Sequence, residues 1–273
     1  MIVRKVCVSG FAVFIAFLFV FGILLSRPMI SQAQQAPNGQ EVLLLDTNLS
    51  ASLQKELASV EAAKLRFSGD GPKILIYHTH TTEAYSSEPG DTYLDWRTDD
   101  AQKNIIAVGE ALAGYLEEYG IEVLHDQTNH ENPKLSTAYT RSLITMQSYQ
   151  ERYPSIELYL DIHRDAGDTA SVAVVDGKKA APILFVVGTG ARADDGVRPN
   201  YRENFAIAKQ LFVQLNAMDT QLIQPIEVKT GRYNQHVGRS LLVNIGNNRN
   251  TLTEARNATQ CLAKAISESI QAD

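Results

Sequence analysis

Cysteine and tryptophan are nearly absent, with Cys7, Cys261 and a single Trp in 273 residues. Two cysteines cannot build a disulfide framework. Neither has a partner at zinc-ligand spacing, so both read as small packing residues. Basic clusters are also missing. The 25 Lys and Arg are scattered among 31 Asp and Glu, giving a net charge of −6, which argues against a nucleic-acid surface. The sequence contains no internal repeat and no low-complexity tract. What it does have is apolar residues, 44% of the chain against 21% charged. That is enough to bury the core of one medium domain with appendages.

From Val6 to Leu25 the sequence carries no charge and no proline, which as a helix is long enough to cross a hydrocarbon core of about 30 Å. Arg4 and Lys5 precede this run, so the short N-terminus is expected in the cytoplasm and the rest of the chain outside. Ser31-Gln32-Ala33 resembles a signal-peptide cleavage site, but secretory apolar regions usually run only about 7–15 residues. Either reading exports the domain. The expected organisation is a cytoplasmic stub and transmembrane anchor over residues 1–27, an extracytoplasmic spacer with a short helix over 28–70, and one domain over 71–273. The spacer helix is read from Leu53, Leu57, Val60 and Leu65, as either a stalk or a packed flank. The Gly69-Asp70-Gly71-Pro72 turn signal marks the start of the domain.

Within the domain, apolar runs predict strands at Lys73 to Tyr77, Ile121 to Leu124, Glu157 to Ile162, Ile183 to Val187 and Ser240 to Ile245. Helical spacing predicts helices at Asn104 to Tyr119, Leu143 to Tyr153, Arg202 to Leu215 and Thr251 to Ile270. This alternation predicts an α/β domain with a mostly parallel sheet flanked by helices. Ligand sites in such sheets lie beyond the carboxyl ends of the strands.

Two of those ends carry candidate chemistry. The first strand runs into His78-Thr79-His80-Thr81-Thr82-Glu83, and the third into Asp161-Ile162-His163-Arg164-Asp165. Catalytic zinc commonly takes two imidazoles and a carboxylate and leaves a fourth position for water. His80 and His163 are the natural imidazole pair. The carboxylate is Glu83 or Asp100, and spacing does not choose between them. His125, Asp126 and His130 read either as groups that orient ligands or as solvated loop residues, and His236 lies in a polar loop ahead of the last strand.

The segments ILIYHTHTTEAY (Ile74 to Tyr85), the His125 to His130 run, LDIHRDA (Leu160 to Ala166), VGTG followed by RPNYRENFAIA, and Arg232 to Ala255 resemble, in order, the stage II sporulation protein P family. These are membrane-anchored cell-wall hydrolases of endospore-forming bacteria. The resemblance implies an N-acetylmuramoyl-L-alanine amidase-like domain holding Zn2+ with His80, an acidic residue and His163. Asp100, four residues before Asn104, falls where the amidases keep their acidic ligand, and Glu83 remains a second candidate. The implied substrate is peptidoglycan, cleaved between N-acetylmuramic acid and the stem peptide's L-alanine, with cross-link endopeptidase activity left open. The implied partners are stage II sporulation proteins D and M at the forespore septum during engulfment. Arg164, Asp165, Arg232 and Asn234 would then suit recognition of stem-peptide carboxylates and amides, with an internal ion pair as the alternative for the first two.

One position departs from the family pattern. The last strand is expected to carry a glutamate, yet it reads Leu241-Leu242-Val243-Asn244-Ile245-Gly246. A glutamate moving the water's proton to the leaving amine is worth roughly 10²–10⁴ in rate, and an amide cannot carry that proton. The expectation is a protein that binds zinc and cell wall with impaired turnover, Glu83 being the acid that compensates if one does. Two alternatives stand beside it. One is a non-catalytic, membrane-tethered peptidoglycan-binding scaffold, and the other is a metallocarboxypeptidase-like hydrolase with His80, Glu83 and the later His163 as ligands.

Overall fold

The computed structural model describes residues 43–45, 49–86 and 96–271. The expected membrane segment and the spacer up to residue 42 lie outside them, and among the described residues no helix is long and apolar enough to cross a membrane. In chain order the elements are β1 (Leu43–Leu45), α1 (Ala51–Ala58), β2 (Ile74–Tyr77), α2 (Ile105–Glu118), β3 (Val123–His125), α3 (Ala138–Arg152) and β4 (Leu158–Asp165). There follow β5 (Ala173–Val175), β6 (Lys178–Ala180), β7 (Ile183–Gly188), α4 (Tyr201–Met218), β8 (Ile226–Lys229), β9 (Ser240–Asn247) and α5 (Leu252–Ser269).

Seven strands form one sheet in the order β1-β8-β7-β9-β4-β2-β3. Every junction is parallel except β7 against β9. The domain is thus a mixed α/β sheet flanked by helices, parallel but for that one junction. Strand alternation sorts its two faces. Leu158, Leu160 and Ile162 of β4 point into the main core with Leu112 of α2, Phe205 and Phe212 of α4, and Leu262 and Ile266 of α5. Tyr159 points the other way, into a smaller cluster with Leu75, Tyr77 and Met146 of α3. Asp161 and His163 share that second face. Three helices cover the first face and one covers the second, so the second face can hold polar side chains where its strands end.

Helix ends follow their capping residues. Asn104 accepts from Ile106 N–H at 2.9 Å at the start of α2, and Thr251 with Glu254 forms a capping box on α5, each such cap being worth about 1 kcal/mol. The sequence pattern missed β1 and β8, which are too short to show a period. It also missed the β5–β6 hairpin, whose turn residues Asp176 and Gly177 take φ values of 50° and 76°, the left-handed pair that a two-residue hairpin turn requires. Helix α3 begins at Ala138, ahead of the expected Leu143.

The helix before the domain is a packed flank, not a stalk. Leu57 and Leu65 are buried in the main core, Leu65 N–H donates to Ser269 O, and Gln271 N–H donates to Leu65 O. Packing therefore begins ahead of the Gly69 to Pro72 turn.

On the main-core face, helix α2 passes directly over two histidines. His78 Nδ1 lies 2.9 Å from Ile162 O. A carbonyl only accepts, so the proton sits on Nδ1, and His125 Nε2 donates to His78 Nε2 at 2.9 Å. Burial drives His78 down to about 3, with His125 adding to the effect, and it drives His125 down to about 4, so the pair is neutral. A Cβ on Gly109 would sit 2.6 Å from His78 Nε2 and 2.7 Å from His125 Nε2. Gly109→Ala should destabilise the protein by about 1–3 kcal/mol through overpacking. Gly114→Ala in the same helix meets open space and should stabilise by roughly 0.5–1 kcal/mol. Chemical denaturation of both variants checks the contrast, and a stabilising Gly109→Ala would contradict the packing described.

Candidate metal centre

His163 ends the core-facing part of β4 and is 3% exposed. Its two nitrogens meet two carboxylates. Asp161 Oδ1 lies 2.8 Å from Nε2 and Glu83 Oε2 lies 3.4 Å from Nδ1. Burial opposes the imidazolium, but Asp161 and then Glu83 raise the imidazole to about 10. The carboxylates are fixed in turn. Asp161 accepts from Thr79 N–H at 2.8 Å and from the Thr79 hydroxyl at 2.7 Å, and Glu83 accepts from Arg164 N–H at 3.0 Å.

His80 lies beside this cluster, its ring centroid 5.5 Å from that of His163. Its Nδ1 is 3.1 Å from Glu131 Oε1, and the same carboxylate accepts from Thr82 N–H at 3.0 Å, the Thr82 hydroxyl and Arg97. Tyr139 of α3 stands edge-on to His80 at 5.6 Å, and Tyr233 stands edge-on to Tyr139 at 6.0 Å. Asn244 is the in-register neighbour of His163 on β9, so the two side chains leave the same face of the sheet about 4.8 Å apart.

The sequence candidates are not all brought together. Glu83 contacts His163, His80 lies beside it, and Asn244 is its neighbour in the sheet. Asp100 is not among them: it is exposed, and its carboxylate accepts from Gln102 N–H in the turn before α2. The expected recognition groups mostly spend their donors internally. Arg164 bonds the carbonyls of Ala84, Trp96 and Asp165, and Arg232 pairs with Asp195 through both of its oxygens. Asn234 donates to Tyr139 O at 2.8 Å and Ser142 Oγ at 3.0 Å. Asp165 is exposed and accepts from Ala166 N–H. His125 pairs with His78 as above. His130 bonds His78 O and Thr145 Oγ1, with Asp126 3.9 Å away, while His236 is half-buried. Sequence reasoning missed Asp161, Glu131, Arg97 and Tyr139. Asp161 stood two residues from a candidate ligand on the same strand face and was legible there, whereas Glu131 depends on the path of its loop.

His163 and Glu83 are of the donor types that zinc takes. The 3.4 Å between His163 Nδ1 and Glu83 Oε2 is long for a hydrogen bond. It is close to the roughly 3.3 Å separating two ligands of one tetrahedral zinc with bonds of about 2.0–2.2 Å. His163 Nε2 is buried without a well-directed hydrogen bond among the described residues, and Asp161 stands where the orienting carboxylate of a ligand imidazole belongs. Among the described residues no group of three His, Cys, Asp or Glu side chains is placed to hold a metal ion.

The chain matches the family model described as stage II sporulation protein P over residues 26–267. It belongs to that family. Stage II sporulation protein P of Bacillus subtilis (strain 168) is 28% identical over an alignment of 244 residues that covers 82% of this chain and 58% of the relative, so the chain spans little more than half of that protein. Among solved structures, the catalytic domain of the CD27L endolysin targeting Clostridia difficile is 11% identical, over 73% of this chain and 96% of that one, with a TM-score of 0.44. The CwlD amidase from Clostridioides difficile, in complex with the GerS lipoprotein, is 13% identical over 72% and 95%, with a TM-score of 0.41. Likeness at this level says nothing of activity, and the sheet order stands on its own. The family match runs through the HTHTTE, DIHRD and last-strand segments that build the centre.

The loop that brings Tyr233 to Tyr139 has two consecutive left-handed residues, Tyr233 and Asn234, with φ of 49° and 57°. Such a conformation costs roughly 1–2 kcal/mol per residue, least for asparagine and glycine. Asn234→Ala should lose about 2–3 kcal/mol, from two broken bonds and the backbone, while Asn234→Gly should lose about 1 kcal/mol less. Urea unfolding of the pair tests this ordering, and equal losses would mean the backbone conformation contributes nothing.

Proposed function

We propose that the chain is an exported, zinc-dependent peptidoglycan hydrolase of sporulation, cleaving the N-acetylmuramoyl-L-alanine amide slowly or only holding it. The observation that carries this reading is the His163–Glu83 contact at 3.4 Å with Asn244 beside it in the sheet. Zinc bound here would lower the pKa of a water from 15.7 toward about 7 and polarise the scissile carbonyl.

The protein's own groups have separate tasks in this scheme. His163, Glu83 and His80 would hold the ion, which favours Glu83 over Asp100 as the acidic ligand. Asp161, fixed by Thr79, keeps the His163 ring oriented. Asn244 can donate to an oxyanion or hold a water by hydrogen bonds, but it cannot take the water's proton near neutral pH. Tyr139 and Tyr233 shield one side of the centre from solvent. Family membership supports a role at the forespore septum, with stage II sporulation proteins D and M as partners. The apolar run Val6 to Leu25 supports a single membrane anchor with the domain outside.

The second reading, a tethered wall-binding scaffold, is favoured by Asn244 alone. Both readings are tested by muropeptide release from purified peptidoglycan, comparing the full chain and its Asn244→Glu variant with zinc added. The variant should work faster by about 10²–10⁴, the usual worth of a positioned acid–base group. Equal rates would reject Asn244 as the missing acid–base position. Wall binding without release by either protein would favour the scaffold.

A further inference from the structure

We infer that the indole of Trp96, seated on the Arg249 guanidinium at the carboxyl edge of the sheet, is a stacking platform for a pyranose ring of the glycan strand. The inference rests on the peptidoglycan reading above for the identity of its ligand.

Trp96 is the single tryptophan of the chain, and the three apolar clusters among the described residues are built without it. Its side chain is partly exposed. Its backbone has a φ of 57°, an outlier for so bulky a residue. Such strain persists only where the surroundings over-determine it, and it gathers at ligand sites. Here the Trp96 carbonyl accepts from Ala84 N–H at 2.9 Å and from Arg164 Nη2 at 3.0 Å. Arg164 N–H also donates to Glu83 Oε2, so one arginine fixes both the tryptophan and the carboxylate that faces His163.

The ring is held from the other side by the segment after β9. Arg249 Cζ lies 4.6 Å from the indole centroid, within the range of a cation–π contact. Arg249 N–H donates to Asn247 Oδ1 at 2.8 Å, and its Nε reaches Gly167 O at 3.4 Å. Asn247 ends β9 in register with Asp165 of β4. The platform therefore stands at the carboxyl ends of the two strands that carry His163 and Asn244, the edge where α/β sheets take their ligands.

A tryptophan serving stability alone would gain most with its ring in the core, and glycine would meet this backbone conformation without strain. Instead a rigid apolar ring is held partly open beside the centre. The terminal nitrogens of Arg249 carry no hydrogen bond among the described residues, and the Asp165 side chain nearby is exposed. A pyranose ring presents C–H groups on its face and hydroxyl and acetamido groups at its rim. The first suit the indole, and the second suit the guanidinium and the carboxylate. A peptide strand has no rigid apolar face of that kind.

The test uses the full chain in detergent, whose tryptophan emission comes from Trp96 alone. It is titrated with a peptide-free tetrasaccharide of alternating N-acetylglucosamine and N-acetylmuramic acid, and separately with the free stem peptide. The tetrasaccharide should change the emission saturably and the stem peptide should not. Calorimetry should show affinity for the tetrasaccharide falling about 3–10-fold in Trp96→Gly, the usual worth of an aromatic stack, with part of it recovered in Trp96→Phe. Trp96→Gly suits the backbone, so a melting temperature close to the native value excludes unfolding as the cause. Tetrasaccharide bound without a change in emission, or bound by folded Trp96→Gly within twofold of native, would overturn the platform while leaving the peptidoglycan reading in place. A response to the stem peptide alone would overturn the sugar as its occupant. If the native chain binds neither the tetrasaccharide nor insoluble cell wall, the peptidoglycan reading fails and the platform with it.

Discussion

A buried imidazole with a carboxylate at each nitrogen is the interaction on which the rest of this centre depends. His163 is 3% exposed, Asp161 is 1% and Glu83 is 7%. Two anions in so dry a place are costly unless a cation joins them. In the metal-free protein a proton on His163 supplies that cation, which is why its imidazole is raised to about 10 despite burial. A divalent ion would replace the proton with twice the charge. The surrounding hydrogen bonds, from Thr79 to Asp161 and from Arg164 N–H to Glu83, keep the two carboxylates from relaxing away. The two carboxylates are therefore held facing the His163 imidazole.

The sheet makes this possible through its unequal faces. Three helices pack the face carrying Leu158, Leu160 and Ile162, and the opposite face, with α3 alone, leaves β4 and β9 to present His163 and Asn244 side by side. The loop from Gly231 to Gln235 closes over that side. Gln235 donates to Val186 O and accepts from Gly188 N–H, each at 2.8 Å, and Asn234 reaches α3. In the proposed scheme, cation binding would rest on His163 of β4 with Glu83 and His80, and proton transfer on β9, where this chain holds the amide Asn244.

Much of the architecture was legible because strands such as ILIY and SLLVNI are continuous apolar runs and the helices repeat at helical spacing. The strands that escaped notice have three or four residues and gain their order from neighbours. At the centre, His80, Glu83 and His163 were readable because they lie at strand ends, where sheet topology concentrates them. Asp100 came from a spacing carried over from the resemblance, and in this chain its exposed carboxylate accepts from Gln102 N–H. Arg164, Arg232 and Asn234 looked like substrate groups because sequence gives residue type without partners, and their partners are Trp96 O, Asp195 and Tyr139 O. Glu131 was invisible for the converse reason, as a common residue in a loop whose path alone brings it to His80.

The central claim is that Glu83, with His163 and His80, forms the cation site. Zinc bound per chain at equilibrium, measured for Glu83→Gln and Asp100→Asn beside the native protein, tests it most directly. The account predicts one zinc in the native protein and in Asp100→Asn, and loss of stoichiometric metal in Glu83→Gln. Full zinc in Glu83→Gln together with its loss in Asp100→Asn would contradict it and return the acidic ligand to the start of α2.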